Sequence, residues 1–138
     1  MSGEEFLAIL TQMAHGNASI SQQRAVTLEF DGRFNITMEL PESSEKAYFH
    51  APILFVPKEN RASIFARALQ AQMFFLATEG NAFGYDMKRD SLLLFRVLEL
   101  PNLSSESLLE TIESFVNQVE QWTHYFSSFN ANADQDWI

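Results

Sequence analysis

From Val26 to Leu40 the chain alternates between apolar and polar residues. Val26, Leu28 and Phe30 are separated by Thr27 and Glu29, and Phe34, Ile36, Met38 and Leu40 by Asn35, Thr37 and Glu39. Strict alternation puts all the apolar side chains on one face of a strand. Asp31-Gly32 lies between the two runs and supplies residues that tolerate the left-handed backbone of a tight turn, so the stretch predicts a β-hairpin with one apolar face. Upstream, Ser2 followed by Glu5 forms a capping box. Phe6, Ile9, Leu10 and Met13 then recur at helical spacing, which predicts an amphipathic helix ending near His15-Gly16.

Beyond the polar loop Pro41 to Lys46, the run Ala47 to Val56 predicts a third strand closed by Pro57. Pro52 within it has no N–H to give to a ladder, which points to an edge position or a break. Asn60 stands where a helix cap belongs, and a helix is expected from Arg61 to Glu79 with Gly80 just past its end. This helix carries two apolar stripes, Ile64, Ala68, Ala71 and Phe75 on one side and Phe65, Leu69, Met73 and Leu76 on another. A helix this apolar must be covered on more than one side. Phe83, Tyr85 and Met87 alternate into a fourth strand, Lys88-Arg89-Asp90 turns, and Leu92 to Leu100 makes a fifth strand, apolar on both faces over Leu92 to Phe95. Ser104 caps a last helix whose stripe is Leu108, Leu109, Ile112, Phe115, Val116, Val119, Trp122 and Phe126.

The order helix, three strands, helix, two strands, helix gives an α+β fold with a mostly antiparallel sheet. One domain is expected over residues 1–130, followed by a polar tail over 131–138. The apolar excess, two-sided in both the second helix and the fifth strand, predicts a symmetric homodimer burying on the order of 1,600 Å². Ile64, Phe65, Ala68, Leu69, Gln72, Phe75, Leu93, Phe95 and Val97 are the expected interface.

Composition narrows the chemistry. There is no Cys among the 138 residues, so disulfides, thiolate metal sites and cysteine nucleophiles are all absent. The formal net charge is -9, and from Val97 to Ile138 there are seven acids and no Lys or Arg. That surface repels nucleic acid and anionic membranes, whose binding rests on basic side chains. It favours solubility, or acids rimming a site for a basic partner. The acidic start and the lack of a long apolar run predict a cytosolic chain without leader or membrane span. His15, His50 and His124 stand at no metal-ligand spacing, and no phosphate loop or nucleophile motif occurs. Glu106, Glu110 and Glu113 read as one solvated helix face. No catalytic residue, metal or cofactor is therefore expected.

Further motifs lie between Ala68 and Trp122: Ala77-Thr78-Glu79-Gly80, Phe83-Gly84-Tyr85-Asp86, Leu100-Pro101-Asn102-Leu103-Ser104, Leu108-Leu109, Phe115-Val116 and Glu120-Gln121-Trp122. In these motifs and their order the chain resembles the class I type III secretion chaperones, the family that includes the Tir chaperone of enteropathogenic bacteria. Its first helix and hairpin fall where that family has them. It departs at Gln70-Ala71-Gln72, where family members often carry Asn. The resemblance implies a cytoplasmic bacterial homodimer that holds an N-terminal segment of one or more secreted effector proteins, extended and secretion-competent, for the secretion ATPase. It also implies a strand added at a sheet edge and apolar pockets near the first helix. Phe6, Leu7, Leu10 and Met13, with Val26, Leu28, Phe34, Ile36 and Met38, are the expected client groove, competing with the domain's own core for those positions. If they form the groove, Asp at Leu28 or Ile36 abolishes capture and spares the fold. The other readings are an adaptor or regulator without an export role, a small-molecule binder with an aromatic pocket, and an enzyme assembling acids from separate loops.

Overall fold

The computed structural model describes residues 1–13 and 24–128. The expected helix end at His15-Gly16 and the 131–138 tail lie outside those residues. The elements are α1 (Gly3–Met13), β1 (Ala25–Phe30), β2 (Phe34–Glu39), β3 (Lys46–Phe55), α2 (Arg61–Gln72), β4 (Ala82–Asp86), β5 (Ser91–Glu99) and α3 (Ser105–Ser127). The strands form one sheet in the order β1-β2-β3-β5-β4. The fold is α+β with an antiparallel sheet, as expected. Contacts cluster into two units, Met1–His50 with Arg96–Val116, and Ala51–Phe95 with Asn117–Ile138.

In the first unit the capping box holds: the Glu5 N–H donates to Ser2 Oγ at 3.1 Å. The hairpin is in register from Ala25↔Glu39 to Phe30↔Phe34, with Asp31 and Gly32 both at positive φ (54° and 66°). Its apolar face is fully used. Phe6 of α1 stacks on Phe49 of β3 at 6.4 Å, and Phe49 meets Phe115 of α3 edge-on at 5.9 Å. Leu98, Leu100, Leu108 and Ile112 complete this core. The opposite sheet face is polar, with Thr27 and Thr37 hydroxyls 2.9 Å apart and His50 Nε2 3.1 Å from Glu39 Oε1.

Pro52 marks a break and not an edge, because β3 lies inside the sheet. β2 pairs with β3 only through Tyr48, Phe49 and His50. The Leu100 N–H bond to Glu45 O makes odd residues of β3 face β5, so Pro52 is where the next bond to β2 would arise. Having no N–H, it ends that ladder. Farther along β3 the buried positions shift from Ala51 and Ile53 to Val56, the mark of a bulge that turns Phe55 outward.

In the second unit Ile53, Val56, Ile64, Ala68, Leu92, Leu94, Val119, Trp122 and Phe126 form the core. Phe83 meets Trp122 and Phe126 edge-on at 5.5 and 5.7 Å. In α3, Ser104 Oγ accepts the Ser107 N–H at 3.1 Å, confirming the cap, while Leu109 falls off the buried stripe and is exposed. Asn60 occupies the cap position of α2, but its side chain makes no capping bond.

The second helix is shorter than its periodicity predicts. It stops at Gln72 and passes through a 3-10 turn, Met73–Phe75, in which Phe74 and Phe75 take φ of 60° and 56°. A continuous helix to Glu79 would run about 28 Å and leave two residues to reverse into β4. Instead Thr78 and Asn81 are buried, with Asn81 Nδ2 donating to Thr78 O at 2.9 Å and Gly80 N–H to Phe75 O at 3.0 Å. Tertiary closure overrides local propensity here.

Because Ile36 is 0% exposed, an Ile36→Asp chain is expected to lose on the order of 4 kcal/mol by burying an unpaired carboxylate. A urea melt should show the midpoint falling accordingly, and an unchanged midpoint would place Ile36 on a free surface.

Candidate functional site

The expected client groove is mostly core. Phe6, Leu10, Val26, Leu28, Phe34, Ile36 and Met38 are all at most 8% exposed. Alternation correctly groups the hairpin residues on one face, but α1 and α3 already cover that face, so these residues cannot line a groove. Only Leu7 and Met13 of that set are half-buried.

The expected interface divides in the same way. Ile64 and Ala68 are 2% and 3% exposed, so their surface is spent inside the chain. Phe65 lies edge-on to Tyr85 at 4.9 Å, and the Gln72 side chain accepts the Phe83 N–H. Leu69 and Phe75 point to solvent. On β5, Leu93, Phe95 and Val97 share the face opposite Leu92 and Leu94, and Phe95 lies over Gly84, where an added Cβ would come within 3.3 Å of its ring. The residues that sequence reasoning missed are Met73, Phe74 and Leu76, exposed by 58%, 80% and 78%. A signal was present, since no one helix face holds four consecutive large apolar residues, Met73 to Leu76. Phe55 and Met87 are also exposed.

Two polar clusters fix the end of β4 that leads into β5. Arg61 Nη2 donates to Val56 O and to Asp90 Oδ1, each at 3.2 Å, and its guanidinium stands 5.7 Å over the Tyr85 ring. The Tyr85 hydroxyl donates to the same Asp90 carboxylate. That bond, and secondarily burial, raises the phenol above its ordinary range. Asp86 accepts the Lys88 and Arg89 N–H groups and the Arg89 guanidinium. The Arg89 side chain is the main reason that its carboxyl titrates below the ordinary range, with the two N–H bonds adding to it. These bonds build the β4–β5 turn and tie the start of α2 to it.

Among the described residues no three His, Asp or Glu side chains gather as a metal site, and no helix is long and apolar enough to cross a membrane. Phe83, Tyr125 and Phe126 pack against Trp122. Trp122 and Tyr125 do form part of the wall of an open cavity of about 640 Å³ that also holds Arg67 and His124.

The family model described as the Tir chaperone protein (CesT) family matches residues 5–123. The chain belongs to the Tir chaperone family. No curated protein sequence matches it. Solved structures share the family fold at low identity. The ExsC–ExsE complex superposes with a TM-score of 0.70 at 16% identity, over 88% of this chain and 92% of that one. The HopA1–SchA chaperone–effector complex gives 0.67 at 13%, over 88% and 92%. The Yersinia pestis type III secretion chaperone SycH, bound to a YscM2 fragment, gives 0.59 at 14%, over 86% and 97%. The family match explains why helix, hairpin and β4–β5 phrasing occur together in this Tir chaperone relative.

The raised Tyr85 has a consequence for stability. A group whose pKa is higher in the folded state contributes stability that is present below its unfolded value, near 10, and is lost as pH rises through the folded one. Tyr85→Phe should abolish this alkaline component, so that the melting temperature falls less between pH 9 and 11 than in the unsubstituted chain. Parallel pH–melting curves would remove Tyr85 from that role.

Proposed function

We propose that this Tir chaperone family member acts in the bacterial cytoplasm as a homodimer that binds an N-terminal segment of a type III secretion effector in extended form. It keeps the segment soluble and secretion-competent without catalysing a reaction. The observation that carries the reading is the family match across residues 5–123. Exposed apolar side chains support it. Leu69, Met73, Phe74 and Leu76 stand together at the end of α2, each more than half exposed. A contiguous apolar patch of this kind marks an interaction site.

The dimer seam is assigned to this patch with Phe75, and to the outward β5 residues Leu93 and Phe95 of the same unit. The client is assigned to surface that the core leaves free, including Leu7 and Met13 of α1. An effector segment held extended gains main-chain bonds and alternate side-chain contacts that offset its ordering entropy. Handing the effector to the secretion ATPase belongs to the same reading.

Two experiments test it. Tagged protein purified from its own bacterium should bring down one or a few secreted proteins, identified by mass spectrometry, and should lose them when their N-terminal segments are deleted. Capture that is indifferent to that deletion counts against the assignment. In sedimentation at micromolar concentration the chain should run as a dimer, and a Leu69→Asp, Leu76→Asp double variant should run at half the mass with its fold intact. A monomer before substitution would sink the seam.

A further inference from the structure

The cavity between α2 and the C-terminal half of α3 serves neither the proposed seam nor the proposed client surface. We propose that it is a binding site for a small aromatic carboxylate, whose anionic end is held by Arg67 and whose ring lies against the wall made by Trp122 and Tyr125. The inference goes beyond the chaperone reading and does not depend on it.

The cavity measures about 640 Å³, within the roughly 300–1,000 Å³ of small-molecule pockets. Arg67, Gln70 and Ala71 line it from α2, and Gln121, Trp122 and Tyr125 with His124 from α3. All of them belong to one compact unit. Spacings of three and four residues bring the members of each set to one side of their helix. That side of α2 is not the one proposed for dimerisation. Arg67 and Ala71 each stand about 160° around the helix axis from Leu69, so cavity and seam can be occupied at once.

Charge selects an anion. The chain has 18 Asp and Glu against nine Lys and Arg, yet no acid lines the cavity and Arg67 does. Glu120, next to Gln121 in the chain, is exposed and outside the lining. Arg67 is half-buried, so its charge is screened less than that of an exposed side chain. Its Nη1 donates to the Tyr125 hydroxyl at 3.4 Å, longer than the roughly 2.7–3.2 Å of a well-formed N–H···O bond. A carboxylate brought to that edge accepts a shorter, charge-assisted bond from Nη1, and the Tyr125 hydroxyl can turn to donate to it as well. The amides of Gln70 and Gln121 are exposed and add further donors.

The wall sets the rest of the ligand. Trp122 spends its indole N–H on Gln118 Oε1 at 2.7 Å, so what it presents to the cavity is ring. The Tyr125 ring stands edge-on to it at 5.3 Å. Ala71 carries only a methyl group and leaves room on the α2 side. Two aromatic rings favour a flat apolar group beside them. One guanidinium balances one carboxylate and matches its planar shape, whereas a phosphate monoester brings a charge of about −1.5 to −2. The carboxylate is the better fit.

Benzoate is the probe, with benzamide as its neutral analogue of the same shape and inorganic phosphate as an anion without a ring. Heteronuclear NMR titration of the full chain reads the Trp122 indole N–H and the side-chain amides of Gln70 and Gln121. Benzoate is expected to shift these signals saturably in the millimolar range, and benzamide and phosphate to bind at least tenfold more weakly. Arg67→Gln should lower the benzoate affinity to that of benzamide and leave benzamide itself unchanged, a split that loss of structure does not produce. Ala71→Leu fills the cavity with Arg67 in place and should weaken benzoate at least tenfold, which keeps the test decisive should Arg67→Gln fail to fold.

Equal affinity for benzoate and either benzamide or phosphate overturns the carboxylate assignment. Absence of shifts at Trp122, Gln70 and Gln121, shifts largest over Leu69 to Leu76 instead, or undiminished benzoate binding by folded Ala71→Leu overturns the site.

Discussion

Phe49 sits on the middle strand with the Phe6 ring stacked on one side and the Phe115 ring edge-on at the other. That three-ring contact is the constraint on which the first unit depends. It fixes α1 and the start of α3 on the same face of the sheet, and so decides which side of the hairpin is sealed. Aromatic pairs contribute about 0.5–1.5 kcal/mol beyond the area they bury. Their larger effect here is geometric. With Phe49 held, Val26, Leu28, Ile36 and Met38 become core, and the polar side carrying Thr27, Thr37, Glu39 and His50 becomes surface.

A second constraint governs the other unit. α2 must end early enough for the chain to return to β4, and it does so at Gln72, at a conformational cost. Two consecutive phenylalanines adopt left-handed backbone, at about 1–2 kcal/mol each. The bonds around Thr78, Gly80 and Asn81 and the grip of Gln72 on Phe83 stand against that cost. The same turn leaves Phe74 and Leu76 in solvent. Strained backbone presenting exposed apolar side chains is a combination found where a protein meets a partner.

The two constraints fit the work of a secretion chaperone. The exposed Leu69, Met73, Phe74, Phe75 and Leu76 at the end of α2 belong to a different unit from the α1 residues Leu7 and Met13. On the proposed reading, self-association and client binding draw on separate residues.

Most of the architecture was legible in the sequence, because it is written in local periods. Alternation over Val26 to Leu40, the Asp31-Gly32 turn, the Ser2 and Ser104 caps and the stripe of α3 each depend on residues a few positions apart. The α+β order and the family resemblance followed from them. What the tertiary structure alone decided was which apolar face is covered and by what. Periodicity places Ile36 and Leu69 on apolar faces in the same way, yet one is 0% and the other 68% exposed. The end of α2 was hidden for a related reason. Met73 to Leu76 continue the helical spacing, and only the need to reach β4, with Gln72 bonded to Phe83, breaks the helix there. Pro52 shows the same limit, since its missing N–H foretold an interrupted ladder but not which neighbour would lose it. Local sequence fixes the face a side chain occupies, whereas burial is a relation between segments distant in the chain.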